Sequence, residues 1–105
     1  MKSLKPELME RLANLKRRYL TEGFVILGVF GSVARGDDTP DSDIDLLYRV
    51  EDPFLSRNRG FDMFSRLEEI KQEIMTALCR KVDLAPVNSV NQILNQEIER
   101  DVVYV

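Results

Sequence analysis

Residues 30–50 read FGSVARGDDTPDSDIDLLYRV, and packing alone explains the residue types of this stretch poorly. The preceding residues, 24–30, form an apolar and β-prone run interrupted only by Gly28, which is typical of a strand covered on both faces. A Gly-Ser pair ends this run, a polar loop follows, and Asp43 and Asp45 open a second apolar run. The stretch therefore predicts a central strand, a short turn and loop, and a second strand that begins with two carboxylates.

The second run predicts a strand over residues 43–50 with two unlike faces. One face holds Ile44, Leu46, Tyr48 and Val50, and the other holds Asp43, Asp45, Leu47 and Arg49. Two residues apart on a strand, Asp43 and Asp45 point to the same side, with Cα atoms roughly 6 to 7 Å apart. Unneutralised, the two carboxylates would repel each other, so one keeps its proton or a cation lies nearby. Carboxylate oxygens suit Mg²⁺ or Mn²⁺.

The Gly31-Ser32 pair offers the complementary half of such a site. A glycine at the end of a buried strand lets backbone approach a ligand, and the start of a following helix presents free amides to an anion. Ser32 is placed to N-cap a short helical turn over residues 33–35, and its hydroxyl adds a donor. Capping alone also accounts for Ser32. An anion cradle beside carboxylates is what metal-assisted transfer from a nucleoside triphosphate requires.

The remaining chain predicts helices packed on a small sheet, an α/β architecture. Apolar spacing predicts a helix over residues 5–21 and another over 61–79, with Phe64 among the apolar positions of the second. Residues 81–87 predict a third strand in which Asp83 lies between apolar neighbours, where a buried acid needs a partner such as a shared metal. Ser89 and Gln92 have capping-box spacing and open a helix to about residue 100. The tail, 102–105, is an edge strand or a partner contact.

Composition narrows the possible functions. The 105 residues suit a single domain, 1–105, and the net charge of −3 argues against direct nucleic-acid binding. Histidine is absent, which excludes a Ser-His-Asp triad, a Cys-His pair and His-ligated zinc. No segment is long and apolar enough to span a bilayer, the start is not a secretory signal, and one cysteine permits no internal disulfide. We expect a cytoplasmic protein.

Gly31-Ser32, ten intervening residues and then Asp43-Ile44-Asp45 resemble the signature of the DNA polymerase β-like nucleotidyltransferase superfamily. The fuller strings GSVARG and SDIDLL resemble its minimal nucleotidyltransferase branch, often encoded beside a HEPN-domain protein. The resemblance covers nearly the whole chain, including the later strand with Asp83. It implies the nucleotidyltransferase fold, with a small mixed sheet and helices packed against it.

The resemblance also implies roles for individual residues. Asp43, Asp45 and Asp83 would be the catalytic metal ligands, Gly31 and Ser32 would bind the triphosphate, and Asp83 would act also as the general base. The implied reaction moves AMP from ATP to a hydroxyl with Mg²⁺ or Mn²⁺. Among similar proteins, the acceptor can be a tyrosine on a partner HEPN toxin, so that the small transferase acts as antitoxin.

Other interpretations of the same residues stay open. Asp43 and Asp45 could be a solvated strand start, whereas a calcium loop fails because Leu46 stands where an EF-hand needs glycine. Asp83 could be a buried acid that is merely hydrogen-bonded. Arg35 is a candidate for binding the nucleotide, and it and Lys81 contact phosphate or sit in water. The domain could instead neutralise its partner by occlusion without catalysis, or transfer a nucleotide to a small molecule.

Overall fold

The computed structural model describes residues 4–37, 39, 41–87 and 92–105, and for Gln92 and Leu94 the backbone alone. Its elements are α1 (Pro6–Leu20), β1 (Phe24–Phe30), α2 (Ser32–Arg35), β2 (Ile44–Val50), α3 (Phe54–Arg57), α4 (Phe61–Leu78), β3 (Val82–Pro86), α5 (Gln92–Asp101) and β4 (Val103–Tyr104). The predicted order is confirmed, and the short α3 is an addition that sequence periodicity missed. The capping position predicted at Ser89 lies outside the described residues.

The four strands form one mixed sheet in the order β3-β2-β1-β4. Strand β1 is antiparallel to both β2 and β4, whereas β2 and β3 run parallel. The mixed sheet and the interior position of β1 confirm the prediction. The tail is the edge strand β4, and the Val105 amide continues its pairing by donating to the Leu27 carbonyl over 3.0 Å.

Each face of the sheet carries its own hydrophobic core, because side chains alternate along β2 as predicted. The larger core packs α1 and α4 on one face, where Ile44, Leu46 and Tyr48 are buried. The Phe24 ring stacks on Tyr48 with centroids 5.0 Å apart. The smaller core lies on the opposite face and joins α5 to the sheet through Phe30, Leu47, Ala85 and Ile98. Asp45 shares the face of the smaller core.

Helix α4 departs from the predicted pattern at its first turns. Phe64 was expected on the apolar face, but it is 70% exposed, and Phe61 is 89% exposed. The fully buried Phe54 of α3 joins the larger core instead, with its ring centroid 6.2 Å from that of Phe24. Ile70, Ile74 and Leu78 keep the predicted inward orientation. None of the helices in the described ranges combines the length and apolar character needed to cross a membrane.

Candidate functional site

Two of the predicted site aspartates are direct neighbours on adjacent strands. Asp45 of β2 is in register with Asp83 of β3, and on its other side Asp45 pairs with Phe30, the last residue of β1. Neighbouring strands lie about 4.8 Å apart, so the two carboxylates start from adjacent backbone positions on one face. Asp43 immediately precedes β2 and is exposed. The topology therefore brings Asp83, far away in sequence, to the same end of the sheet as Asp43 and Asp45.

Gly31 faces the Asp45 carboxylate at that same end. It has φ 79° and ψ −155°, a conformation that is essentially restricted to glycine. A Cβ atom at Gly31 would overlap Oδ2 of Asp45 and lie 3.4 Å from its Cγ. The turn and the acid are therefore in contact at a position that only a hydrogen side chain fits.

The capping prediction for Ser32 is wrong. Gly31 occupies the cap position of α2, and Ser32 is its first helical residue. The sequence predicted helical geometry only from residue 33. Gly31 instead adopts a backbone conformation that other residues rarely reach, and the helix begins one residue earlier, at Ser32. Within the described ranges the Ser32 hydroxyl forms no hydrogen bond, so it has no structural partner there.

The electrostatics of Asp45 match the predicted repulsion between carboxylates. Burial, followed by the negative charges of Asp83, Asp43 and Glu97, raises the pKa of Asp45 from 3.8 to about 6. Arg35 opposes it. Burial and the neighbouring carboxylates therefore disfavour the ionised form of Asp45.

Asp83 does not have the buried environment expected from its strand. Its side chain is 60% exposed, and the nearest cation is Lys71, whose Nζ lies 4.0 Å from Oδ1. The interpretation of Asp83 as a buried, hydrogen-bonded acid is therefore wrong. Asp83 lies near the start of β3, an edge strand of the sheet, ahead of Ala85, where the smaller core covers the strand.

Arg35 is held by protein carboxylates and does not simply sit in water. Its Nη1 donates to Oδ2 of Asp101 over 2.7 Å, and its Nε donates to Oδ2 of Asp37 over 3.2 Å. Sequence periodicity could not find the Asp101 partner, because it lies on α5, the element furthest along the chain that packs against this face. Lys81, the second candidate cation, is exposed.

Two further residues near the site carry no signal in the sequence. Arg80 donates through Nη2 to the Ser42 carbonyl over 2.6 Å and to the Thr39 carbonyl over 3.3 Å, which ties the loop before Asp43 to the start of β3. Glu97 of α5 adds a third negative charge around Asp45, after Asp83 and Asp43. Both depend on tertiary contacts, so only the topology reveals them.

The donor set fits a hard divalent cation in kind. Among the described residues, no three acidic or thiol side chains already stand close enough to hold a metal ion. The three aspartates nevertheless offer only carboxylate oxygens, the ligands that Mg²⁺ and Mn²⁺ prefer. A bound divalent cation would offset the burial and the neighbouring negative charges that raise the pKa of Asp45.

A mixed sheet with a Gly-Ser turn facing an aspartate pair at one end has the architecture of a nucleotidyltransferase. A family model for polymerase β nucleotidyltransferases matches residues 13–105. The chain belongs to this family, within its minimal, MntA-like branch.

Three individual proteins illustrate the similarity. The protein adenylyltransferase MntA of Thermococcus cleftensis is 32% identical over 108 residues, covering all of both chains. A solved structure assigned as a minimal nucleotidyltransferase superposes with a TM-score of 0.69 at 27% identity, covering 94% of this chain and 93% of the other. A toxin-antitoxin crystal structure with AMP-PNP has a TM-score of 0.67 at 23% identity, covering 90% of this chain and 69% of that one, which supports the fold. The predicted fold and the predicted nucleotidyltransferase activity are confirmed.

Proposed function

We propose that this chain transfers AMP from ATP to a hydroxyl group on a partner protein in the cytoplasm, and that the partner is a HEPN-type toxin. The observation that carries the proposal is the contact between Gly31 and Asp45, together with the register of Asp45 and Asp83. It puts a turn suited to phosphates directly against the acids suited to a cation. Folding alone gives no evident reason for the turn and the acids to lie together.

Gly31 and Ser32 are the proposed site for the departing phosphates. The Gly31 conformation brings the backbone of the turn up to Asp45 without a side chain between them. The Ser32 hydroxyl has no partner within the described ranges and can donate to a phosphate oxygen. Arg35, one turn further along α2, supplies a positive charge on the same side.

Asp83 is the proposed general base. Its exposed carboxylate can accept the proton of an incoming hydroxyl, whose oxygen then attacks the α-phosphorus of ATP. A new phosphorus-oxygen ester bond forms, the bond between the α-phosphorus and the bridging oxygen breaks, and pyrophosphate leaves with that oxygen. The exposure of Asp83 suits an acceptor that comes from outside the chain.

Asp43, Asp45 and Asp83 are the proposed ligands of Mg²⁺ or Mn²⁺. When bound, such an ion neutralises charge that develops on the phosphates in the transition state. The residues themselves keep the cation next to the turn, since Asp45 contacts Gly31 and pairs with Asp83. Arg80 supports the third ligand by fixing the loop that leads into Asp43.

The names of relatives and the shape of the site support a protein acceptor. The Thermococcus relative is named a protein adenylyltransferase, and a neighbour in fold was solved as a toxin-antitoxin with AMP-PNP. The minimal branch that the sequence resembles is often encoded beside a HEPN-domain protein. A protein acceptor fits a site whose base lies open at the sheet edge.

The experiment incubates the protein with α-labelled ATP, Mg²⁺ and the protein encoded by the adjacent gene. We expect label on the partner with wild type. The rate of label transfer should fall at least about a hundredfold with Asp45→Asn, because the loss of a metal ligand removes the stabilisation that the ion supplies in the transition state. Asp41→Asn removes an equal charge from the exposed loop and should leave transfer unchanged. Equal transfer by wild type and Asp45→Asn would refute the proposed chemistry. Neutralisation of the partner without any transfer would instead establish occlusion.

A further inference from the structure

Asp101 is a buried carboxylate for which the proposed chemistry gives no role. It is 2% exposed and is the one buried side chain of a polar or charged residue within the described ranges. It is also the last residue of α5, where the helix dipole disfavours negative charge. A carboxylate stays in such a position only if strong partners compensate its desolvation.

Two arginines supply that compensation. Arg100, its neighbour in sequence, donates to Oδ1 from Nε over 3.1 Å and to Oδ2 from Nη2 over 3.3 Å. Arg35 reaches across from α2 and donates to Oδ2 over 2.7 Å. The Arg100 hydrogen bonds, followed by that of Arg35, hold the pKa of Asp101 below its ordinary value. Asp101 therefore stays ionised at neutral pH and links α5 to the end of α2.

This link leaves one edge of the Arg35 guanidinium open. Nη1 donates to Asp101 and Nε to Asp37, whereas Nη2 forms no hydrogen bond or ion pair with any described residue. Arg35 ends the short helix that begins at Ser32, so its position is tied to the Gly-Ser turn. Gly31, the cap of the same helix, contacts Asp45. The open edge of Arg35 and the acid site therefore lie at the same end of the sheet.

We propose that Asp101 is a positioning residue that fixes the Arg35 guanidinium so that its open N–H edge meets the nucleotide triphosphate beside Gly31 and Ser32. The inference rests on the proposed function, since it takes nucleotide binding at that turn as given. A guanidinium is a planar fork, and holding one edge against a carboxylate sets the direction of the other edge. Released from Asp101, Arg35 would be drawn to the crowded acids around Asp45 instead.

The test measures the affinity for AMP-PNP with Mg²⁺ by calorimetry. We expect Asp101→Asn and Arg35→Gln each to weaken binding about tenfold, the scale of one charged hydrogen bond, and the double variant to be no weaker than Arg35→Gln alone. The control, Glu99→Gln, removes an exposed acid from the same helix and should bind within about twofold of wild type. If Asp101→Asn does not fold, Arg35→Lys replaces it. A lysine cannot bridge Asp101 and a phosphate through a fixed fork, so the same tenfold loss is expected.

A second readout separates positioning from general stability. Phenylglyoxal labelling of Arg35, followed by peptide mass analysis far below the unfolding midpoint, should accelerate several-fold in Asp101→Asn and stay unchanged in Glu99→Gln. Wild type that binds no AMP-PNP would refute the proposed function itself. Normal wild-type binding with an Asp101→Asn affinity equal to that of Glu99→Gln would overturn this inference alone. A further loss in the double variant would also overturn it, because Asp101 would then act other than through Arg35.

Discussion

Replacing Gly31 by alanine should damage both stability and the site. At φ 79° and ψ −155°, Gly31 occupies backbone space that costs other residues about 1–3 kcal/mol. The new methyl group would also overlap Oδ2 of Asp45, so the carboxylate must rotate away from the turn. The first effect acts on folding and the second on the nucleotide site, and the two can be measured separately.

The backbone term sets the expected size of the stability loss. At about 2 kcal/mol, it lowers the unfolding midpoint of a domain of this length by roughly 10 °C. Urea unfolding gives the free energy directly, and AMP-PNP titration with Mg²⁺ at a temperature where the variant is folded reports on the site. We expect nucleotide binding to weaken by a factor of ten or more, since Asp45 no longer faces the turn.

Gly60 provides a matched control for the backbone term. It has φ 61° and ψ −128°, and a Cβ atom built on it would meet nothing within 4 Å. Gly60→Ala should therefore lose comparable stability and keep wild-type affinity for AMP-PNP. The reasoning is refuted if Gly31→Ala is as stable as wild type, or if the two variants bind nucleotide equally well.

Three further changes test other parts of the structure. Asp45→Asn in chelator should stabilise the fold by about 1 kcal/mol, because it removes the burial of a charge and the repulsion by neighbouring carboxylates that together raise the Asp45 pKa. Mg²⁺ should raise the melting temperature of wild type alone. Glu22 receives a 2.9 Å hydrogen bond from Arg66, which holds the pKa of Glu22 below the ordinary 4.5. The stabilisation of the fold by this ion pair is fully present above pH 4.5 and is lost as the pH falls through the lowered pKa. Glu22→Gln should therefore be less stable at pH 7 and flatten the acid limb of the stability curve. Phe54→Ala should cost about 3–5 kcal/mol in urea unfolding, since Phe54 is fully buried, whereas the exposed Leu55→Ala should cost under about 1 kcal/mol.

Each of these has an outcome that contradicts it. An equal Mg²⁺ shift in wild type and Asp45→Asn would show that the ion acts elsewhere. A pH profile of Glu22→Gln parallel to that of wild type would mean that the ion pair with Arg66 is not retained in solution. Similar losses for Phe54→Ala and Leu55→Ala would mean that α3 does not pack on the larger core.

The local sequence pattern was sufficient to predict the strands and the face of the sheet on which each of their residues lies. Strand β1 was predicted with its observed bounds, and the alternation along β2 put Asp45 and Leu47 on one face and Ile44 on the other. Successive side chains of a strand point to opposite faces because of the backbone geometry, so the alternation can be predicted without knowing which elements pack on each face. Asp83 was a candidate from its place in the third predicted strand as well as from the resemblance, and the parallel register puts it beside Asp45.

The contacts that shape the site were beyond local pattern. The link between Arg35 and Asp101 and the hold of Arg80 on the Ser42 carbonyl each join residues far apart in sequence. The exposure of Asp83 depends on β3 being an edge strand, which is a matter of strand order and not of composition. Ser32 was misjudged because the unusual backbone of Gly31 shifts the start of α2.

The two hydrophobic cores lie on opposite faces of the sheet, so the residues that contribute most to stability are separate from those of the proposed site. Folding strength comes mainly from the face that packs α1 and α4, where no proposed site residue lies. The acids share the other face with the smaller core that seats α5, the helix that carries Glu97 and Asp101. Substitutions in α5 can therefore retune the surroundings of the acids while the larger core stays intact.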